Sequence, residues 1–131
     1  MITTTSIIVR AQASGFHCYE NAPDEVAFLR EVHRHVFHVE AELEVYHDDR
    51  ELEFFLVQRE LKRLLEEALG SLPLHARSCE RIARTIQQRL FRLYSTQGKE
   101  TRAVAVYVSE DNENGARVVG QLREEGSHDY V

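Results

Sequence analysis

The stretch Phe37-His38-Val39-Glu40-Ala41-Glu42-Leu43-Glu44-Val45 decides the fold. Apolar residues take every second place, and His38, Glu40, Glu42 and Glu44 fill the gaps. That period of two places alternate side chains on opposite faces, so residues 35–46 read as a long strand with one wet face and one face on a core. Working outward, Ile7, Val9, Ala11 and Ala13 show the same period, which gives a first strand over residues 5–14 that Gly15 is expected to break. Glu20-Asn21-Ala22-Pro23-Asp24 has turn chemistry, with Asp24 expected to cap a short helical stretch through Leu29. Downstream of His47-Asp48-Asp49 the period changes. Val57, Leu61, Leu64, Leu65 and Ala68 recur at helical spacing, with Gly70 as the expected stop. A loop over residues 71–77 leads to Ser78 as an N-cap, and Ile82, Ala83, Ile86, Leu90, Leu93 and Tyr94 mark a second amphipathic helix. Gln97-Gly98-Lys99 is the next break. Residues 102–109 read as a strand, 111–115 as a turn and 116–122 as a last strand, with a loose tail from about Glu124. The expected fold is therefore α+β, in the order β-β-α-α-β-β, an antiparallel sheet with two helices on one face.

The 131 residues suit one domain that buries a core without disulfides, and nothing in them reads as a linker or repeat. A net charge of −6 argues against a grip on long nucleic acid, although a few local arginines can still hold a small anion. Two cysteines form no framework, which points to a reducing cytoplasm. No apolar run reaches the length of a membrane span, and residues 1–6 lack the features of a signal peptide.

Seven histidines are many for this length, and three of them invite a site. His33 and His35 are two apart, so in an extended chain they share a side with Phe37 and Val39, while His17 shares a side with Ile7 and Val9. Three imidazoles on the inner faces of neighbouring strands can converge as the three-histidine set of a catalytic zinc, with a fourth position open. The alternative is that His33 and His35 lie on the surface before the strand and bind nothing.

These residues resemble the 6-pyruvoyltetrahydropterin synthase and carboxytetrahydropterin synthase family of tunnelling-fold proteins. Phe16-His17 and Val32-His33-Arg34-His35-Val36-Phe37 are similar to that family's histidine after the first strand and its His-x-His-aromatic element opening the second. Glu53-Phe54 is similar to its Asp-Phe pair leading into the first helix. Arg77-Ser78-Cys79-Glu80-Arg81-Ile82-Ala83 resembles the opening of its second helix, and Val106-Tyr107-Val108-Ser109-Glu110 the strand whose closing glutamate anchors the pterin edge. The resemblance covers residues 7 to about 119 and implies zinc at His17, His33 and His35 and a ring anchor at Glu110. The departures are as informative. The family carries a cysteine shortly before His-x-His, and residues 24–32 contain none; Cys18 is out of place. The family also has an Asp-His pair before the second helix, and here His75 has no aspartate beside it. A base without its orienting partner is a poor catalyst, so the reading favours binding over catalysis.

A second resemblance is to small phage proteins of the Thoeris anti-defence sponge family. It lies in Gly15-Phe16-His17, Asn21-Ala22-Pro23, residues 33–38, residues 48–54 and Ser109-Glu110-Asp111-Asn112-Glu113-Asn114-Gly115. It implies sequestration of a cyclic ADP-ribose isomer or cyclic oligonucleotide, without cleavage, by a homo-oligomer in the host cytoplasm, with a hexamer as first choice. The ligand-binding residues expected are Phe16 and Tyr19, which flank His17, and Phe91, off the main apolar stripe of the second helix, for stacking; Glu110 for the ring edge that the first resemblance implies; Arg117 and Arg123, close in sequence to Glu110, for a pyrophosphate; and Asn114. Phe16, Tyr19 and Phe91 have a plainer reading as core packing and Glu110 as a solvated turn residue, while most arginines of the second helix are expected on a solvated face. The alternative function is a zinc-dependent pterin or deazapurine synthase.

Overall fold

The computed structural model describes residues 1–95 and 102–121. The strands β1 (Thr5–His17), β2 (His33–Val45), β3 (Ala103–Glu110) and β4 (Asn114–Gln121) form one sheet in the order β1-β2-β3-β4, every neighbour antiparallel. The helices α1 (Phe54–Ser71) and α2 (Cys79–Tyr94) fall in sequence between β2 and β3. Two 3₁₀ segments, Asp24–Arg30 and Leu74–Ala76, occupy the connections. The fold is α+β. No described helix is long and apolar enough to cross a membrane.

Alternation sorts the sheet into two faces. The helical face carries Val9, Phe37, Val39, Ala41, Leu43, Val104, Val106 and Val108, all buried. α1 packs over β1, and α2 over β3 and β4. Leu61, Leu65, Ile82, Ile86 and Leu90 supply the helical half of the core and have no exposed surface. Each such side chain contributes about 1.5–3 kcal/mol on leaving water, which is why the period of the apolar residues dictates the layers.

Several boundaries differ from the sequence reading, each for a local reason. Gly15 does not end β1. It pairs with His35, and a Cβ there would lie 2.9 Å from Leu69 and 3.2 Å from Phe37, so this glycine permits close packing of α1 on the strand. β1 thereby reaches His17, and β2 starts at His33, two residues earlier than expected. Asp24 caps nothing; Pro23 holds the N-cap position, and Asp24 pairs with Arg30 at 2.7 Å instead. Gly70 lies inside α1, which ends after Ser71 because Leu72, preceding Pro73, is extended. Glu53 caps α1 through Leu56 N–H, and Ser78 caps α2 through Arg81 N–H as expected. Asp111 and Asn112 both have positive φ (53° and 62°), and Glu113 N–H donates to Glu110 O, which makes the β3–β4 connection a type I′ turn. The break at residues 97–99, Leu122 at the end of the last strand and the tail from Glu124 lie outside the described residues.

Candidate metal centre and adjoining cavity

Extending β1 to His17 and starting β2 at His33 makes these two histidines direct cross-strand partners. His35 sits one pleat further along β2, and Glu110 at the end of β3 faces Phe37. All four side chains project from the helical face, just beyond where the apolar core stops. The three imidazoles meet edge to face, with ring centroids 4.6 Å (His17–His33), 5.0 Å (His17–His35) and 4.9 Å (His33–His35) apart.

The Nδ1 atom of each ring is already engaged. His17 Nδ1 lies 2.8 Å from the Arg77 carbonyl, His33 Nδ1 2.7 Å from the Glu31 carbonyl and His35 Nδ1 2.6 Å from Asp111 Oδ2. A carbonyl only accepts, so Nδ1 carries the proton in His17 and His33. Asp111 is held below the usual carboxylate range by the Val36 N–H it accepts and by His35, so it too is an acceptor. In the neutral rings every Nε2 therefore presents a lone pair. Ring nitrogens from the three residues lie within 4.8 Å of one another, and Nε2 of His33 and of His35 is buried with no hydrogen-bond partner. Burial lowers the His17 pKa, an effect partly offset by its bond to Arg77 and by the Glu110 charge, so this ring is neutral near pH 7.

The Glu110 carboxylate faces the same point, with Oε2 3.4 Å from His17 Nε2 and Oε1 3.5 Å from His35 Nε2. Lone pairs opposed to a carboxylate at that distance repel unless a positive charge stands between them. A tetrahedral zinc with bonds of about 2.0–2.1 Å would satisfy all three nitrogens after the rings draw in by roughly an ångström, and each ligand already has the outer partner that such histidines use. The donor set fits the ion.

A cavity of about 620 Å³ opens beside this set, lined in part by His17, His33, Glu110, Asn114, Tyr19 and Cys79. Asn114 is the cross-strand partner of Glu110. Tyr19 is half exposed at the wall. The Cys79 thiol points at Glu110 Oε2 from 3.9 Å, and burial, reinforced by that carboxylate, pushes its pKa up to about 12. Cys18 and His75 line the same cavity. A larger cavity of about 660 Å³ at the other end of the sheet has carboxylates committed elsewhere: Asp48 to Thr5, Glu51 to Arg102, Glu53 to the α1 cap.

The structure thus gathers His17, His33, His35, Glu110, Asn114 and Tyr19 at one place. It leaves Phe16 on the opposite face of β1, across from Arg34 and half exposed. Arg117 also lies on that opposite face, its guanidinium 5.5 Å from the Tyr107 ring. Phe91 packs against the core from α2. Arg123 lies outside the described residues. The sequence reading did not assign Asp111, the carbonyls of Glu31 and Arg77, or Cys79. Arg77 is itself braced, its guanidinium donating to Leu72 O and Phe16 O.

No family model matches the chain, and no curated protein matches it.

Proposed function

We propose that this chain holds zinc at His17, His33 and His35 and works on a small heterocyclic ring docked against Glu110, as a tunnelling-fold protein of the 6-pyruvoyltetrahydropterin synthase type. The carrying observation is that ring nitrogens of three imidazoles lie within 4.8 Å of one another beside the Glu110 carboxylate, each imidazole fixed through Nδ1. A four-stranded antiparallel sheet with both helices on one face supports the tunnelling-fold reading. Bound zinc supplies Lewis-acid polarisation of a substrate oxygen. Glu110 accepts from ring N–H groups, Asn114 offers an amide beside it, and Cys79 offers a protonated thiol. Metal analysis of protein purified without chelator, followed by incubation with dihydroneopterin triphosphate, tests this. Zinc near one per chain with product formation is expected; zinc-free, inactive protein overturns it.

Capture without turnover is the second reading, and the state of Cys79 favours it. A thiol with a pKa near 12 is not an activated nucleophile. The ligand is then a cyclic ADP-ribose isomer or cyclic oligonucleotide, and the role is phage anti-defence. Incubation with a cyclic ADP-ribose isomer, denaturation and chromatography should return the ligand intact under this reading; recovery of a cleaved nucleotide would overturn it in favour of an enzyme.

Either reading implies a homo-oligomer, with a hexamer first. The β1 edge is largely closed to strand pairing, because Gln58, Lys62 and Arg77 donate to the carbonyls of Arg10, Gln12 and Phe16. β4 is the other edge of the sheet. Light scattering that shows a monodisperse monomer at micromolar concentration would remove the assembly.

A further inference from the structure

The sheet face turned away from the helices carries a second polar cavity, independent of the histidine set. Gln12, His38 and Ser109 form one cross-strand row on it, and Arg10, Glu40 and Tyr107 the next. These rows line a cavity of about 470 Å³. Ser109 is fully buried, and its Oγ has no hydrogen-bond partner. A buried hydroxyl left unpaired is costly and uncommon, and one that borders a cavity can take its partner from whatever fills that cavity. Gly115 lies across from Ser109 on β4, where a Cβ would fall 2.9 Å from the Ser109 Cβ. That position admits no side chain, so nothing from the fourth strand reaches over to satisfy the hydroxyl.

The lining also selects a chemistry. Among the described lining residues the one guanidinium, Arg10, is tied at 3.0 Å to the one carboxylate, Glu40. The charges of the lining therefore offset each other, and Arg117, across from Tyr107 on the same face, sits over the Tyr107 ring and does not line the cavity. Gln58 donates to the Arg10 carbonyl, and what remains are the amides of Gln12 and Asn112, the His38 ring and the hydroxyls of Tyr107 and Ser109. Amides and hydroxyls both donate and accept hydrogen bonds, which is the complement of an alcohol, and the imidazole adds a further donor. The Tyr107 ring, shared with the Arg117 guanidinium 5.5 Å away, adds apolar surface to the lining.

We propose that this open sheet face binds an uncharged polyhydroxylated ring through its vicinal hydroxyls, supplied by a free monosaccharide or by the ribose of a nucleoside. Amide NMR of the full chain titrated with adenosine, D-ribose and 2′-deoxyadenosine tests it. Shifts centred on His38, Ser109 and Asn112 are expected with adenosine, with deoxyadenosine about tenfold weaker for the loss of one hydrogen-bonding hydroxyl. Equal shifts with ribose make a free sugar sufficient, and shifts with adenosine alone identify a nucleoside; both sustain the site. Ser109→Ala loses no bond within the chain and should keep the fold while weakening adenosine about tenfold. Protein carrying His33→Ala and His35→Ala should bind adenosine unchanged, which separates this site from the metal centre. No shifts, equal binding of deoxyadenosine, or shifts confined to the histidine cavity would overturn the proposal.

Discussion

Asp111→Asn isolates the outer partner of the proposed metal centre with the smallest available change. Asp111 Oδ1 accepts from Val36 N–H at 2.8 Å, and Oδ2 meets His35 Nδ1 at 2.6 Å. Asparagine keeps the first bond through its single oxygen and tolerates the positive φ of 53° at this turn position. The amide nitrogen must then face His35 Nδ1, and it can only donate. That inverts the tautomer: Nδ1 becomes the acceptor, the proton moves to Nε2, and the ring can no longer offer Nε2 to a metal. Loss of an outer partner typically lowers metal affinity about 10–100-fold. The short contact and the tautomer inversion put this case toward the upper part of that range. The assay is competition for zinc against a chromophoric chelator, on apo protein whose circular dichroism matches the parent. An unchanged affinity would show that His35 does not bind through Nε2, and the assignment of the centre would fall.

Three further outcomes follow from the same contacts. The double change His33→Ala and His35→Ala should abolish zinc binding in elemental analysis, since one imidazole and Glu110 cannot replace a three-nitrogen set; retained stoichiometric zinc refutes the site. Glu51→Gln should destabilise the fold by about 2–3 kcal/mol in urea unfolding, because it strips the counter-charge from Arg102, which is only 4% exposed. The hydrogen bonds from Arg102 hold the Glu51 carboxyl below its ordinary value, so its stabilisation is complete above a pH of about 4.3 and is lost as pH falls through the depressed folded value; parent and Glu51→Gln stabilities should converge in acid. Cys79 in apo protein should react with iodoacetamide about a thousandfold more slowly at neutral pH than an ordinary thiol, as its pKa near 12 implies; rapid labelling of Cys79, mapped by peptide mass, would contradict its placement against Glu110.

The layers of this fold were legible because period is a local property. The alternation through Phe37–Val45 and the helical spacing of Leu61, Leu65, Ile82 and Ile86 each report which way a side chain faces, whatever packs against it. The same rule put His33 and His35 on one side and brought His17 to them, since His17 and His33 are cross-strand partners. What the period could not supply were the partners of Nδ1. Arg77 is 60 residues from His17 and Asp111 is 76 from His35, and both lie in connections whose course depends on the finished sheet.

Phe16 and Arg117 lie on the face turned away from the histidine cavity, as the alternation itself implies. Phe16 adjoins His17 in sequence, and in a strand adjacency means opposite faces. Arg117 lies between Ala116 and Val118, which turn toward α2, so it must turn away. Both lie close in sequence to site residues, and parity turns both away from the histidine cavity. Parity also explains why this sheet has two polar places. On the helical face the apolar run gives out at His33 and His35, beside the Arg77 carbonyl and Cys79 at the opening of α2. On the other face Arg10, Gln12, His38, Glu40, Tyr107 and Ser109 occupy the alternate positions of the same three strands. A strand that must be apolar toward the helices leaves its remaining positions unconstrained by packing. Those positions hold the neutral, hydrogen-bonding set on the open face, and testing them requires no assumption about the metal.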